Sequence, residues 1–143
     1  MAGSAQIEQP QLPLILAARF GAVPVNAHGG DTVKKIRQLT AGRGVDVALE
    51  LIGSARTMEQ AVQVLAPCGR AALAGLTNQE MSIEPYRDVL IREAEIIGVS
   101  DHLASEIAGL MALVSRGDLK LASAITRTVP LDASAINGVL DDL

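Results

Sequence analysis

Aromatic side chains are nearly missing: Phe20 and Tyr86 stand alone, and there is no tryptophan among the 143 residues. A chain so poor in rings cannot stack bases along a nucleic-acid groove or anchor a broad interface on aromatic hot spots. Its core must be aliphatic. Basic runs are lacking too, and the formal net charge of −4 excludes the electrostatic footprint of a protein that binds phosphate backbones or anionic lipid. Neither nucleic acid nor membrane is expected as a partner. A single cysteine, Cys68, excludes an internal disulfide framework and a four-cysteine zinc site and fits a reducing compartment, so a cytoplasmic location is expected.

Long hydrophobic runs are missing as well, the uncharged stretches falling well short of the roughly 20 residues of a spanning helix. LPLILAA at Leu12 to Ala18 follows Glu8 instead of a basic region and is interrupted by Pro13, which argues against a secretory leader. The length suits one domain over residues 1–143, with one core.

What is present alternates between helical and strand periods. Leu12, Ile15, Leu16 and Phe20 form a helical stripe stopped at Gly21, and Ala22 to Asn26 reads as a short strand that Pro24 keeps poorly paired or at an edge. HGGD at His28 to Asp31 is a turn ending in an N-cap aspartate, followed by a helix with Val33, Ile36 and Thr40 inward. Val45 to Ile52 is a nearly continuous apolar strand, as expected where both faces are buried in a parallel sheet, and Gly53 closes it.

Thr57 and Gln60 suggest a capping box ahead of Met58, Ala61, Val62 and Leu65 at helical spacing. Pro67 and Gly69 then break the chain before a strand at Arg70 to Ala74, which ends at Gly75. A helix over Tyr86 to Arg92, a strand over Ala94 to Val99, a helix carrying Leu103, Ile107, Leu110, Met111 and Val114 and stopped at Gly117, an extended run Ile125 to Val129 and a last helix capped by Asp132 complete the pattern. The order argues for an α/β fold, a three-layer Rossmann-like open parallel sheet with helices on both faces.

Ligands of such sheets sit outside the carboxyl ends of the strands, here Glu50 to Gly53, Ala74 to Leu76 and Gly98 to Asp101. Each exit holds a glycine. That glycine either lets a flat ligand approach the backbone or serves a turn that needs positive φ, and both readings stand.

The run LTAGRGVDVALELIGSARTMEQAVQVLAPCGRAALAGL from Leu39 to Leu76 resembles the cofactor domain of the zinc-containing, medium-chain alcohol dehydrogenases. LILAARFGAVPVNA (Leu14 to Ala27) and IREAEIIGVS (Ile91 to Ser100) extend the likeness from about Ile7 to the C-terminus. The resemblance implies a Rossmann domain for NAD or NADP in a family that interconverts alcohols and aldehydes. Leu51, Ile52 and Gly53 would lie along the dinucleotide, Ala74, Gly75 and Leu76 would neighbour the nicotinamide, and Val99 and Ser100 would meet its carboxamide. Glu8 falls where the family places the carboxylate that holds the adenosine ribose.

Against that pattern, the first strand, the G-x-G-x-x-G turn and the first helix are not found ahead of Leu12, and HGGD has neither the spacing nor the preceding strand to replace them. Cofactor binding is therefore expected to be weak or lost. The family's catalytic zinc ligands and structural zinc lobe have no counterpart, and the spacing of His28, Cys68 and His102 does not suggest tetrahedral ligation. No metal ligand and no catalytic residue is assigned.

A missing central strand would leave sheet edges open, so either Ala22 to Asn26 pairs with Val45 to Ile52 or another chain supplies the contact, and an oligomer is expected. The resemblance places a homodimer contact at Met81 to Arg92. The leading expectation is a cofactor-domain fragment of such a dehydrogenase, inactive alone. A non-catalytic module for oligomerisation or for pairing with a separate dehydrogenase chain, and one half of a split enzyme, are the alternatives.

Overall fold

The computed structural model describes residues 12–27, 31–101, 103–125 and 127–142. Two compact units divide the chain, Met1–Asp101 and His102–Leu143.

In the first unit, α1 (Leu12–Arg19) stops at Gly21 in the left-handed region, φ +85°. Residues Ala22 to Asn26 follow as irregular chain and not as a strand: Pro24 has no N–H to give a ladder, and among the described residues β1 pairs only with β2. Direct pairing of this segment with Val45 to Ile52 is thereby corrected. The ammonium of Lys35 donates to Asn26 O at 3.0 Å and ties the segment to the helix that follows. Helix α2 (Thr32–Leu39) starts under Asp31, whose carboxylate accepts from Lys34 N at 3.0 Å as an N-cap should. His28 to Gly30 of the HGGD turn lie outside the described residues.

Strands β1 (Val45–Glu50), β2 (Leu65–Leu73) and β3 (Glu95–Gly98) form a parallel sheet in the order β1-β2-β3. Between β1 and β2 runs α3 (Ala55–Gln63), which begins three residues before a start capped by Thr57. Ser54 is its cap, accepting from Thr57 N at 3.2 Å, because the Thr57 hydroxyl is drawn instead to the Glu50 carboxylate at 2.7 Å. Leu65, read from its spacing as helical, opens β2; burial at that position is shared by both elements, so period alone could not separate them. Pro67, Cys68 and Gly69 bulge out of β2 between the Val45 and Val47 registers, with Cys68 at φ +59° and its N–H on Arg92 O at 2.7 Å.

The core lies between α3 and one face of the sheet: Ala61 and Val62 of α3 meet Leu65 and Ala71 of β2, with Ala48, Leu73 and Ile96 packed at the margin. Alternate residues point to the other face, and there Val47 and Leu49 are exposed. The expectation that β1 is buried on both faces is corrected by the exposure of Val47 and Leu49, whose face is not covered as the α3 face is. The segment expected as a helix over Tyr86 to Arg92 is a single π-helical turn, Pro85–Leu90.

The second unit holds α4 (Ala104–Ser115), a 3-10 turn at Ala122–Ala124 and α5 (Ala133–Asp141). Leu103 N donates to Glu106 Oε2 at 3.0 Å at the start of α4. Gly117 stops the helix at φ +76°, yet the stripe Leu103, Ile107, Leu110, Met111 and Val114 is exposed. Asp132 caps α5 as expected, on Ala135 N at 2.9 Å. The run Ile125 to Val129 joins no ladder among its described residues.

Candidate functional site at the strand exits

An apolar strand that ends in an acid and then a glycine must find donors for the carboxylate or leave it in water. Glu50 is 3% exposed, and its donors come from the turn it closes. Ile52 N and Gly53 N each donate to Oε1 at 3.0 Å, and the Thr57 hydroxyl donates to the same oxygen at 2.7 Å. Burial acts to raise the Glu50 pKa, but the Thr57 hydroxyl and the N–H groups of Gly53, Ile52 and Gly75 together outweigh it, and the carboxyl is held below the usual glutamate range.

The neighbouring exit is locked to this one. Ala74 N and Gly75 N both donate to Glu50 O, at 2.8 and 3.1 Å. Gly53 takes φ +83°, and a Cβ there would stand 2.2 Å from Leu76 O; a Cβ on Gly75 would stand 2.1 Å from Gly53 N and 2.6 Å from Glu50 Oε2. Of the two readings of these glycines, backbone packed on backbone is what the geometry requires. Val99 N closes the third exit on Leu73 O at 2.9 Å.

The structure thus brings Leu51, Ile52 and Gly53 together with Ala74, Gly75 and Leu76, sets Val99 beside them across β2, and leaves Ser100 exposed past the end of β3. Glu8 lies outside the described residues. The strand exits offer a ligand apolar side chains, with Leu51 72%, Ile52 76% and Leu76 94% exposed. N–H donors are scarce there, since those of Ile52, Gly53, Ala74, Gly75 and Val99 are already used. The start of α3 is also occupied: Ala55 N donates to Gln79 Oε1 at 3.0 Å and Thr57 N to Ser54. Such a platform can pack against flat rings; it is poorly equipped for a pyrophosphate, which needs free N–H groups.

A groove of about 390 Å³ continues from this platform along the unpaired edge of β1, between α2 and α3, lined by Ile36, Val47, Leu49, Leu51, Ala61 and Val64 among others. Thr32 Oγ1 is buried near it without a hydrogen-bond partner. Among the described residues no group of three or more His, Cys, Asp or Glu side chains is placed to hold a metal ion, and no helix is long and apolar enough to cross a membrane.

Glu50 and Thr57 are the residues that sequence reading passed over as a pair. Their signal is an acid at the last position of an apolar strand, a glycine three residues on and a hydroxyl seven residues on.

Comparison with known proteins agrees with the geometry. The family model described as zinc-binding dehydrogenase matches residues 13–116. L-threonine 3-dehydrogenase of Pyrococcus abyssi is 33% identical over 113 residues, 78% of this chain and 32% of the relative. An NAD-dependent alcohol dehydrogenase of Sulfurisphaera tokodaii is 30% identical over 128 residues, 89% of this chain and 35% of the relative. Among solved structures, the alcohol dehydrogenase of Aeropyrum pernix superposes with a TM-score of 0.76 at 29% identity, over 92% of this chain and 36% of its own. This chain spans about a third of the length of the curated relatives it matches. Its three-stranded parallel sheet with helices has the Rossmann-like α/β fold of these neighbours, and with the match over residues 13–116 the chain belongs to the zinc-binding dehydrogenase family.

Proposed function

We propose that this chain is the nucleotide-cofactor part of a zinc-type, alcohol-dehydrogenase-like oxidoreductase, acting in NAD(P)-linked interconversion of alcohols and aldehydes. On its own it binds the cofactor weakly and transfers no hydride. The observation that carries the reading is the platform of Leu51, Ile52 and Leu76 at the strand exits, apolar and exposed above a backbone lock whose donors are spent. Val99 extends it across β2. Bound NAD(P) would supply the hydride acceptor; the residues of this chain would pack on its rings and keep water from one side, while phosphate contacts come from elsewhere.

The free β1 edge and its apolar groove support a partner that completes the sheet, either a second copy in a homo-oligomer or a separate dehydrogenase chain. Cys68, exposed and unpaired, fits work in a reducing compartment such as the cytoplasm.

The test is a fluorescence titration of the purified chain with NADH and NADPH, repeated after adding the preceding part of a related dehydrogenase, its catalytic domain together with the first strand, G-x-G-x-x-G turn and first helix. Saturable binding in the millimolar range alone, and tighter binding with alcohol oxidation on mixing, is the expected result. Micromolar binding by the chain alone would refute the claim of spent donors; no binding in either mixture would refute the cofactor role.

A further inference from the structure

At the end of α3 far from the strand exits, about 13 Å away by the rise of the helix, three arginines line a pocket of about 160 Å³ with Asp88, Gln63 and Val33. Two of them share one acceptor. Arg37 Nη2 donates to Gln63 O at 2.8 Å and Arg92 Nη1 to the same oxygen at 3.0 Å, and each also reaches Leu65 O, at 3.5 and 3.3 Å. Two guanidinium groups on a single carbonyl repel each other.

The C-terminal dipole of α3 offsets part of that repulsion. The carboxylates nearby are otherwise engaged. Asp88, 1% exposed, is held by Arg87 Nε at 3.0 Å, Arg87 Nη2 at 3.4 Å and Glu84 N at 3.0 Å. Arg87 Nη1 is taken by Glu84 at 2.8 Å. Arg37 Nη1 goes to Gly42 O at 3.2 Å. The Nε and Nη2 groups of Arg92 have no partner among the described residues, and burial, followed by the Arg37 charge, pulls its pKa below the usual guanidinium value. The lining therefore carries three cationic side chains against one anionic one, with unused planar donors.

We propose that Arg92 and Arg37 form a site for a small phosphate-type oxyanion, with Arg87 at its rim. An anion there would accept from the free edge of Arg92, relieve the Arg37–Arg92 repulsion and tie the end of α3 to the turn before β3. Guanidinium forks match this geometry, and their charge does not depend on pH in the working range. Free phosphate and the phosphate of a mononucleotide share this chemistry. This pocket lies at the other end of the sheet from the strand exits and does not depend on cofactor binding there.

The experiment is thermal melting of the full chain as phosphate replaces chloride at constant ionic strength, for the wild type and Arg92→Gln. A saturable rise in Tm of about 5 °C in the wild type, absent in Arg92→Gln, is expected. An equal rise in both would be a general salting effect and would overturn the site. Should Arg92→Gln fail to fold, Arg37→Gln takes its place, and phosphorus NMR of phosphate with the wild-type chain gives a direct reading in which unbroadened lines overturn the proposal. Parallel melts with AMP distinguish the sources: a shift equal to that of phosphate assigns the group of a mononucleotide, and a shift with phosphate alone assigns the free ion.

Discussion

The Thr57 hydroxyl donates to Glu50 Oε1 at 2.7 Å, tying the first turn of α3 to the last residue of β1. Glu50 also gathers the N–H groups of Ile52 and Gly53, so one carboxylate decides where the strand ends, how the glycine turns and where the helix starts. Thr57→Val should remove a hydrogen bond to a buried charge and lower stability by about 1.5–3 kcal/mol in urea unfolding at neutral pH. Because the folded pKa of Glu50 lies below its ordinary 4.5, its contribution is complete above that value and is lost as pH falls through the folded value. Acid titration of stability should show this loss in the wild type and a flatter profile below pH 4.5 in Glu50→Gln; identical profiles would contradict the role assigned to Glu50.

The contact of Gly75 with Gly53 predicts a sharp positional contrast. Gly75→Ala places a Cβ 2.1 Å from Gly53 N and should cost about 3 kcal/mol or more, since backbone has to move. Gly98→Ala meets nothing within 4 Å and should stay within about 0.5 kcal/mol. Chemical denaturation of the two variants side by side checks the lock between the exits.

Leu76 and Leu65 separate an exposed apolar surface from the core. Leu65 is fully buried and Leu76 is 94% exposed, so Leu65→Ala should cost about 2–5 kcal/mol of stability while Leu76→Ala leaves it within about 0.5 kcal/mol. If the platform packs on the cofactor, Leu76→Ala should instead weaken NADH binding about fivefold or more, measured in the presence of the catalytic domain and the G-x-G-x-x-G turn and first helix of a related dehydrogenase. Unchanged binding would remove Leu76 from the site.

Thr32 offers a stabilising change. Its Oγ1 is buried without a partner, so Thr32→Val, of similar shape, should raise stability by about 1 kcal/mol. A loss of stability, seen as a lower Tm, would mean that the hydroxyl is satisfied in solution.

Much of the architecture was legible in local pattern. The stops at Gly21 and Gly117, the caps at Asp31 and Asp132 and the apolar stretches that became β1 and β3 all rest on short-range chemistry, in which a side chain or a φ angle acts on its own neighbours. The family likeness of Leu39 to Leu76 was legible for the same reason, since that segment builds one β-α-β unit.

Long-range pairing was not legible. Whether Ala22 to Asn26 finds a ladder depends on a partner strand that no local pattern names, and Val45 to Ile52 reads alike whether it is central or at an edge, because aliphatic content reports hydrophobicity and not neighbours. Leu65 could belong to helix or strand until the bulge at Pro67 to Gly69 set its register. The exits followed the same division: composition placed a glycine at each of them, but only packing could show that Gly53 and Gly75 press on each other and that Glu50 consumes the donors a ligand would need. Hydrogen bonds within a turn are set by residues a few positions apart, whereas the use of a donor by one strand exit or another is settled by which strands lie side by side.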